Sequence, residues 1–215
     1  MSSASIKLSA ANKKLDSTIP LTGSKSESNR ALIMQALSDG AVRVDNISEA
    51  ADTVTLNNIL KADKPTKVDI GPAGTAMRFL TAFYSLKESE VLLTGSERMK
   101  QRPIGILVDA LRTLGADIQY AEKEGFPPLK IRGPLQQKTP EVSIKGNISS
   151  QYISALLLIA PKLEQGLNLV IEGELTSKPY VQMTLAMMEQ AGIRHTWTEN
   201  VIRIENQGFN KSVIH

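Results

Sequence analysis

The chain has 215 residues, 41% of them hydrophobic, enough to bury one large core or two modest ones. It contains no cysteine, which excludes a disulfide framework, a thiolate metal site and a cysteine nucleophile. The net charge of +3 arises from 25 basic residues dispersed among 22 acidic ones, a balance that suits an anionic ligand but forms no continuous basic track.

In chain order, the polar start has no signal-peptide pattern, and no apolar run approaches the length of a bilayer crossing, so a cytoplasmic location is expected. A short alternating strand at Ile6–Leu8 and a second at Lys13–Pro20 lead into a glycine turn, Leu21-Thr22-Gly23-Ser24-Lys25-Ser26-Glu27-Ser28-Asn29-Arg30. A helix should open near Ser26, with apolar residues at helical spacing from Ala31 to Leu37 and a stop at Gly40. The unpaired N–H groups and dipole of such a start favour a phosphate or carboxylate; Lys25 adds a point charge and Arg30, one turn in, a planar fork. The same residues also make an ordinary capped helix start.

Strands follow at Val42–Asp45, Lys67–Ile70, Val91–Thr94, Asp117–Tyr120, Leu129–Arg132, Glu141–Lys145, Leu167–Glu172, Ile193–Trp197 and Val201–Ile204. Two of them lead into further copies of the opening device. Gly71-Pro72-Ala73-Gly74-Thr75 and Gly146-Asn147-Ile148-Ser149-Ser150-Gln151 each place glycine and small hydroxyl residues ahead of an apolar helix. Each copy is followed, after a strand, by a second helix opening at Asp52, at Arg102-Pro103 or at Lys178-Pro179, where proline at the first turn is a start signal. Two of these second helices also end alike, at Gly115 and Gly192, with glycine leading into a strand. The pattern is a threefold βαβαββ repeat, about 13–66, 67–138 and 139–206, in an α/β lobe with helices inside and sheets outside or the reverse.

The motifs Gly-Ser-Lys-Ser-x-Ser-Asn-Arg at 23–30, Ala-Gly-Thr-Ala-Met-Arg at 73–78 and Leu-Thr-Gly-Ser-Glu-Arg-Met-Lys-Gln-Arg-Pro-Ile-Gly at 93–105 are long and specific. With Ser-Ser-Gln at 149–151 and Ser-Lys-Pro-Tyr at 177–180, they make the chain resemble the N-terminal half of the 5-enolpyruvylshikimate-3-phosphate synthases, from about Ile6 to Ile204. The resemblance implies an enolpyruvyl transferase fold, an inside-out α/β barrel of two lobes, each of three βαβαββ units, closing on substrates held between them. Residues 1–12 would then belong to a C-terminal lobe absent from this sequence, 13–206 to the substrate-binding lobe, and 207–215 to a hinge remnant or tail.

The implied reaction transfers the enolpyruvyl group of phosphoenolpyruvate to the 5-hydroxyl of shikimate 3-phosphate, releasing phosphate, with no cofactor or metal. By similarity, Lys25 would lie between the substrates and serve proton transfer. Ser26, Arg30, Ser149, Ser150, Gln151, Ser177 and Tyr180 would hold shikimate 3-phosphate together with Lys25. Gly74, Arg98, Gln151 and Lys25 would hold phosphoenolpyruvate. The half-site alone is expected to bind without turnover, its partner being the second lobe and neither nucleic acid nor membrane. Taken without the family, Ser177 reads as a helix cap and Tyr180 as a core aromatic; Arg78 reads as structural, and His195 and Trp197 as packing or surface residues. Pro72 and Phe79 stand where the family commonly has asparagine and proline. Two rivals were weighed. A lobe that transfers enolpyruvate to UDP-N-acetylglucosamine typically carries a cysteine and lacks the Ser-Lys-Ser-x-Ser-Asn-Arg pattern. A non-catalytic anion or nucleic-acid module would need more than one tryptophan, four tyrosines and four phenylalanines for base stacking.

Overall fold

The computed structural model describes residues 20–214 together with Lys7, Ser9, Ser17 and Thr18. The strand expected at Ile6–Leu8 and most of that at Lys13–Pro20 lie outside the described residues.

The first helix of each unit is the most deeply buried. These are α1 (Lys25–Leu37), α3 (Gly74–Leu86) and α6 (Ser150–Ile159), and α3 and α6 are buried over nearly their whole length. Their sequences explain it: Ala76-Met77, Phe79-Leu80 and Ala82-Phe83 cover more than one side of α3, as Ile153 and Ala155 to Ile159 do on α6, and such helices need neighbours all round. The second helices, α2 (Ala51–Leu60), α5 (Gly105–Leu114) and α7 (Lys178–Gln190), each bury one stripe and pack around them. Helices are therefore inside and sheets outside, the choice that periodicity left open.

The second unit contributes β2 (Lys67–Asp69), β3 (Glu90–Thr94), β4 (Asp117–Tyr120) and β5 (Leu129–Arg132) in the order β2-β3-β5-β4. The third contributes β6 (Glu141–Lys145), β7 (Leu167–Glu172), β8 (Thr196–Thr198) and β9 (Val201–Ile204) in the order β6-β7-β9-β8. Each sheet has one parallel pair followed by two antiparallel pairs, so the repeat read from glycine spacing is a repeat of topology. In both, strand residues alternate buried and exposed, which gives each sheet one face on the helices and one in water. Both second helices close with the same six-to-one bond, Ala116 N–H to Leu111 carbonyl and Ile193 N–H to Met188 carbonyl, across glycines of positive φ.

The first unit is different. Its β1 (Val42–Val44) pairs in parallel with β10 (Ser212–Ile214), from the segment expected to be a tail or hinge remnant. The chain then runs from α2 straight to β2, without the hairpin seen in the other units. Two element starts also differ by more than one residue. The helix expected from Arg102-Pro103 starts at Gly105, after an extra turn, α4 (Glu97–Lys100), capped by Ser96. The strand expected at Ile193–Trp197 starts at Thr196, because Arg194 spends its N–H and carbonyl on the Gln207 side-chain amide, both at 2.9 Å.

Candidate anion site at the helix starts

The opening of α1 is capped by its own chain: the Ser24 hydroxyl accepts from the Glu27 N–H at 3.4 Å. Lys25 is the first helical residue and its side chain is half-exposed, with Nζ 3.7 Å from Asp52 Oδ2 in the first turn of α2. Ser26 faces partly outward, and its carbonyl accepts from Arg30 Nη1 at 2.8 Å.

Arg30 is 2% exposed. Its Nε donates to Thr184 Oγ1 of α7 at 2.7 Å and its Nη2 to Ser154 Oγ of α6 at 3.0 Å, while the guanidinium lies 5.5 Å from the centre of the Phe79 ring. Burial lowers its pKa to about 10, which leaves it charged at neutral pH. The fork expected to face a ligand thus commits three of its five donors, two tying α1 to α6 and α7 and one within α1. Phe79, where proline is common in the family, supplies the flat face against which that cation rests.

At α3 the cap position, Ala73, has no side-chain acceptor, and the first helical residue is the buried Gly74. A Cβ there would collide with Nη1 of Arg102 and lie 2.9 Å from its Cζ, so any side chain at 74 would push aside the guanidinium that rests on this backbone. The Arg102 side chain makes no hydrogen bond or ion pair among the described residues; its backbone N–H donates to the Met99 carbonyl at 3.0 Å. Burial depresses its pKa, as do the neighbouring cations Arg78 and, less strongly, Arg98, with Tyr152 and Asp52 acting in the opposite sense. A crowd of cations around open backbone donors is an anion seat. Arg98, which the sequence reading placed against Gly74, is instead exposed on α4 and reaches Arg102 only through its charge. No local pattern separates the two arginines. The approach of their loop to Gly71, where the Ser96 N–H meets the Gly71 carbonyl at 3.0 Å, is a tertiary contact. Pro72 is exposed in a turn closed by the Ala73 N–H on the Ile70 carbonyl at 3.1 Å, so this turn does not need the N–H that proline lacks.

At α6 the Ser149 hydroxyl caps the helix, accepting from the Gln151 N–H at 3.4 Å, and Ser150 is its buried first residue. Gln151 Nε2 donates to Thr75 Oγ1 at 3.1 Å, which joins the first turn of α6 to that of α3. Ser177 stands at the cap position of α7 yet makes no capping bond, and Tyr180 is 50% exposed. Neither therefore fills the cap or core role that its residue type suggests. Arg78 is structural, as expected: buried, donating to the Gly74 carbonyl at 2.9 Å and the Pro103 carbonyl at 3.3 Å. His195 sits 3.5 Å from Glu189 near the far end of α7, and Trp197 lies under Lys178.

The arrangement can bind anions at two linked helix starts and place a lysine beside them. Among the described residues, no group of three or more His, Cys, Asp or Glu is arranged to hold a metal ion, and no helix is long and apolar enough to cross a membrane.

Comparison with known proteins decides the ancestry. Residues 9–64 and 61–214 match the family model described as EPSP synthase (3-phosphoshikimate 1-carboxyvinyltransferase). The chain belongs to the EPSP synthase family. It is 49% identical over 193 residues to a 3-phosphoshikimate 1-carboxyvinyltransferase of Bacteroides fragilis, covering 90% of this chain and 47% of that one. It is 46% identical over 225 residues to the enzyme of that name from Haemophilus influenzae, covering 92% and 50%. The chain thus spans about half the length of these curated relatives. The fold is shared with EPSP synthase from Acinetobacter baumannii, at a TM-score of 0.73 and 21% identity over 91% of this chain and 48% of the other. It is shared more distantly with the enolpyruvyl transferase NikO from Streptomyces tendae, at a TM-score of 0.58 and 14% identity over 93% and 50%.

Proposed function

We propose that this chain supplies the shikimate 3-phosphate-binding half of an enolpyruvyl transferase active site, transferring the enolpyruvyl group of phosphoenolpyruvate to the 5-hydroxyl of shikimate 3-phosphate. The observation that carries the reading is Gly74 beneath the unpartnered Arg102, joined through Thr75 and Gln151 to the serine-lined start of α6. Two phosphoryl groups on two substrates need two such seats side by side. In this reading Ser149, Ser150 and Ser177 hold the 3-phosphate, Gln151 reaches both substrates, and Tyr180 lines the shikimate ring. Ser26 and the remaining donors of Arg30 meet the shikimate hydroxyls or carboxylate. The Gly74 N–H and Arg102 take the phosphoenolpyruvate phosphate, with Arg98 at the rim.

Lys25 serves proton transfer, its ammonium 3.7 Å from Asp52. Catalysis further needs the reacting groups aligned and water excluded, which lobe closure would provide; the chain alone binds and does not turn over. Residues 1–12 in this reading belong with the second lobe, and the protein works in the cytoplasm without metal or cofactor. Calorimetric titration tests this: shikimate 3-phosphate should saturate the chain and UDP-N-acetylglucosamine should not, and phosphate release should require a C-terminal lobe. The reverse preference, or ordinary turnover by this chain alone, defeats the proposal.

A further inference from the structure

Arg102 sits on the loop between α4 and α5, in an exposed run from Gln101 to Pro103; its N–H donates to the Met99 carbonyl at 3.0 Å, and its side chain has no hydrogen bond or ion pair among the described residues. What places it must therefore act on its backbone. The Pro103 carbonyl, one peptide beyond, accepts two bonds: from the Tyr152 hydroxyl at 2.7 Å and from Arg78 Nη2 at 3.3 Å. Arg78 Nη1 holds the Gly74 carbonyl at 2.9 Å, so one guanidinium pins both sides of the seat to each other. Tyr152 pins them to α6. Its ring is 6% exposed and lies 5.6 Å below that same guanidinium, while the preceding residue, Gln151, grips Thr75.

We infer that the Tyr152 hydroxyl is a positioning residue: through the Pro103 carbonyl it holds the Arg102 guanidinium over Gly74, where a phosphoryl group would meet both. The inference rests on the reading of Gly74 and Arg102 as an anion seat. The Arg102 N–H is spent on the Met99 carbonyl and the Ile104 N–H on the Gly125 carbonyl, and proline at 103 has no N–H, so the two bonds to the Pro103 carbonyl are the ones that tie this loop to α3 and α6.

Tyr152→Phe keeps the ring and removes only the hydroxyl. In the unliganded chain, NMR relaxation of the Arg102 Nε–Hε group should report an ordered side chain in the parent and a mobile one in the variant. Titration with inorganic phosphate or phosphoenolpyruvate, followed at the Gly74 amide, should show dissociation constants raised about three- to ten-fold, the loss of one modest hydrogen bond's worth of placement. Shikimate 3-phosphate, followed at the Ser150 amide, should bind within about two-fold of the parent. Adding Tyr152→Phe to Arg102→Ala should weaken phosphate binding no further. Arg78→Lys, too short to span both carbonyls, is a second variant and should mobilise Arg102 in the same way. Unchanged Arg102 order in Tyr152→Phe, or an equal penalty when Arg102 is absent, overturns the inference. A parent chain in which phosphate fails to perturb Gly74 overturns the anion seat instead, while Arg102 order still decides what the hydroxyl does.

Discussion

Arg30 lies one turn into one inner helix and Arg102 reaches from a loop to the start of another, and they do opposite work. Arg30 is buried, bonded to two hydroxyls and a carbonyl, and laid against an aromatic ring; the Arg102 guanidinium rests on a glycine with no hydrogen bond or ion pair among the described residues. The first cation is a strut and the second, in the proposed reading, a receptor. Their helices differ in the same sense. The α1 start uses its own Ser24 as a cap, whereas α3 offers Ala73 and Gly74 and leaves its first donors open. A helix start that caps itself has fewer backbone donors left for a ligand. At α3, which has no side-chain cap, a guanidinium lies over the open donors.

The largest expected effect tests the strut. Arg30→Met should cost about 2–4 kcal/mol in urea unfolding, since it strips a buried charge-assisted network joining three helices, whereas Arg102→Met should change stability by no more than about 0.5 kcal/mol. Equal losses in the two variants would erase the distinction. Next comes the receptor: Gly74→Ala drives a methyl into the Arg102 guanidinium, and phosphate affinity should fall about tenfold while the melting temperature moves little. Unaltered phosphate binding in Gly74→Ala would show that the ligand sits elsewhere.

A smaller effect separates capping from binding at α6. Ser149→Ala removes a cap and should cost about 1 kcal/mol of stability, while Ser150→Ala, which has no cap to lose, should leave stability nearly intact; both should weaken shikimate 3-phosphate binding. If only the cap-bearing variant weakened binding, Ser150 would be a packing residue. The smallest effect lies at the opposite end of α1, where Asp39 accepts from Lys162 at 2.8 Å and its carboxyl is held below the ordinary range by that hydrogen bond and charge. A carboxylate depressed in the folded state adds stability above its unfolded pKa of about 3.9 and loses it as pH falls further. The pair is largely solvated, so Asp39→Asn should cost only a few tenths of a kcal/mol at neutral pH and nothing in strong acid, read by denaturant midpoints at both.

Much of this was legible without coordinates. The bounds of Asp117–Tyr120, Leu129–Arg132, Glu141–Lys145, Leu167–Glu172 and Val201–Ile204 follow from alternation between turn residues, and the glycine stops at Gly115 and Gly192 from the left-handed backbone they permit. The threefold recurrence of glycine, hydroxyl and apolar helix set the architecture, because each of these signals is local: a side chain either suits a pleat, a cap or a left-handed turn, or it does not. The tertiary structure decided the rest. Which arginine of the 97–105 motif would rest on Gly74, and that Arg30 would be consumed by Ser154 and Thr184, depend on partners 25 to 154 positions away, where loops and helices meet only after the core has formed. The same holds for Ser212–Ile214. Its three residues carry no signal strong enough to tell a tail from a strand, and they become β10 by pairing in parallel with β1, about 170 positions earlier in the chain.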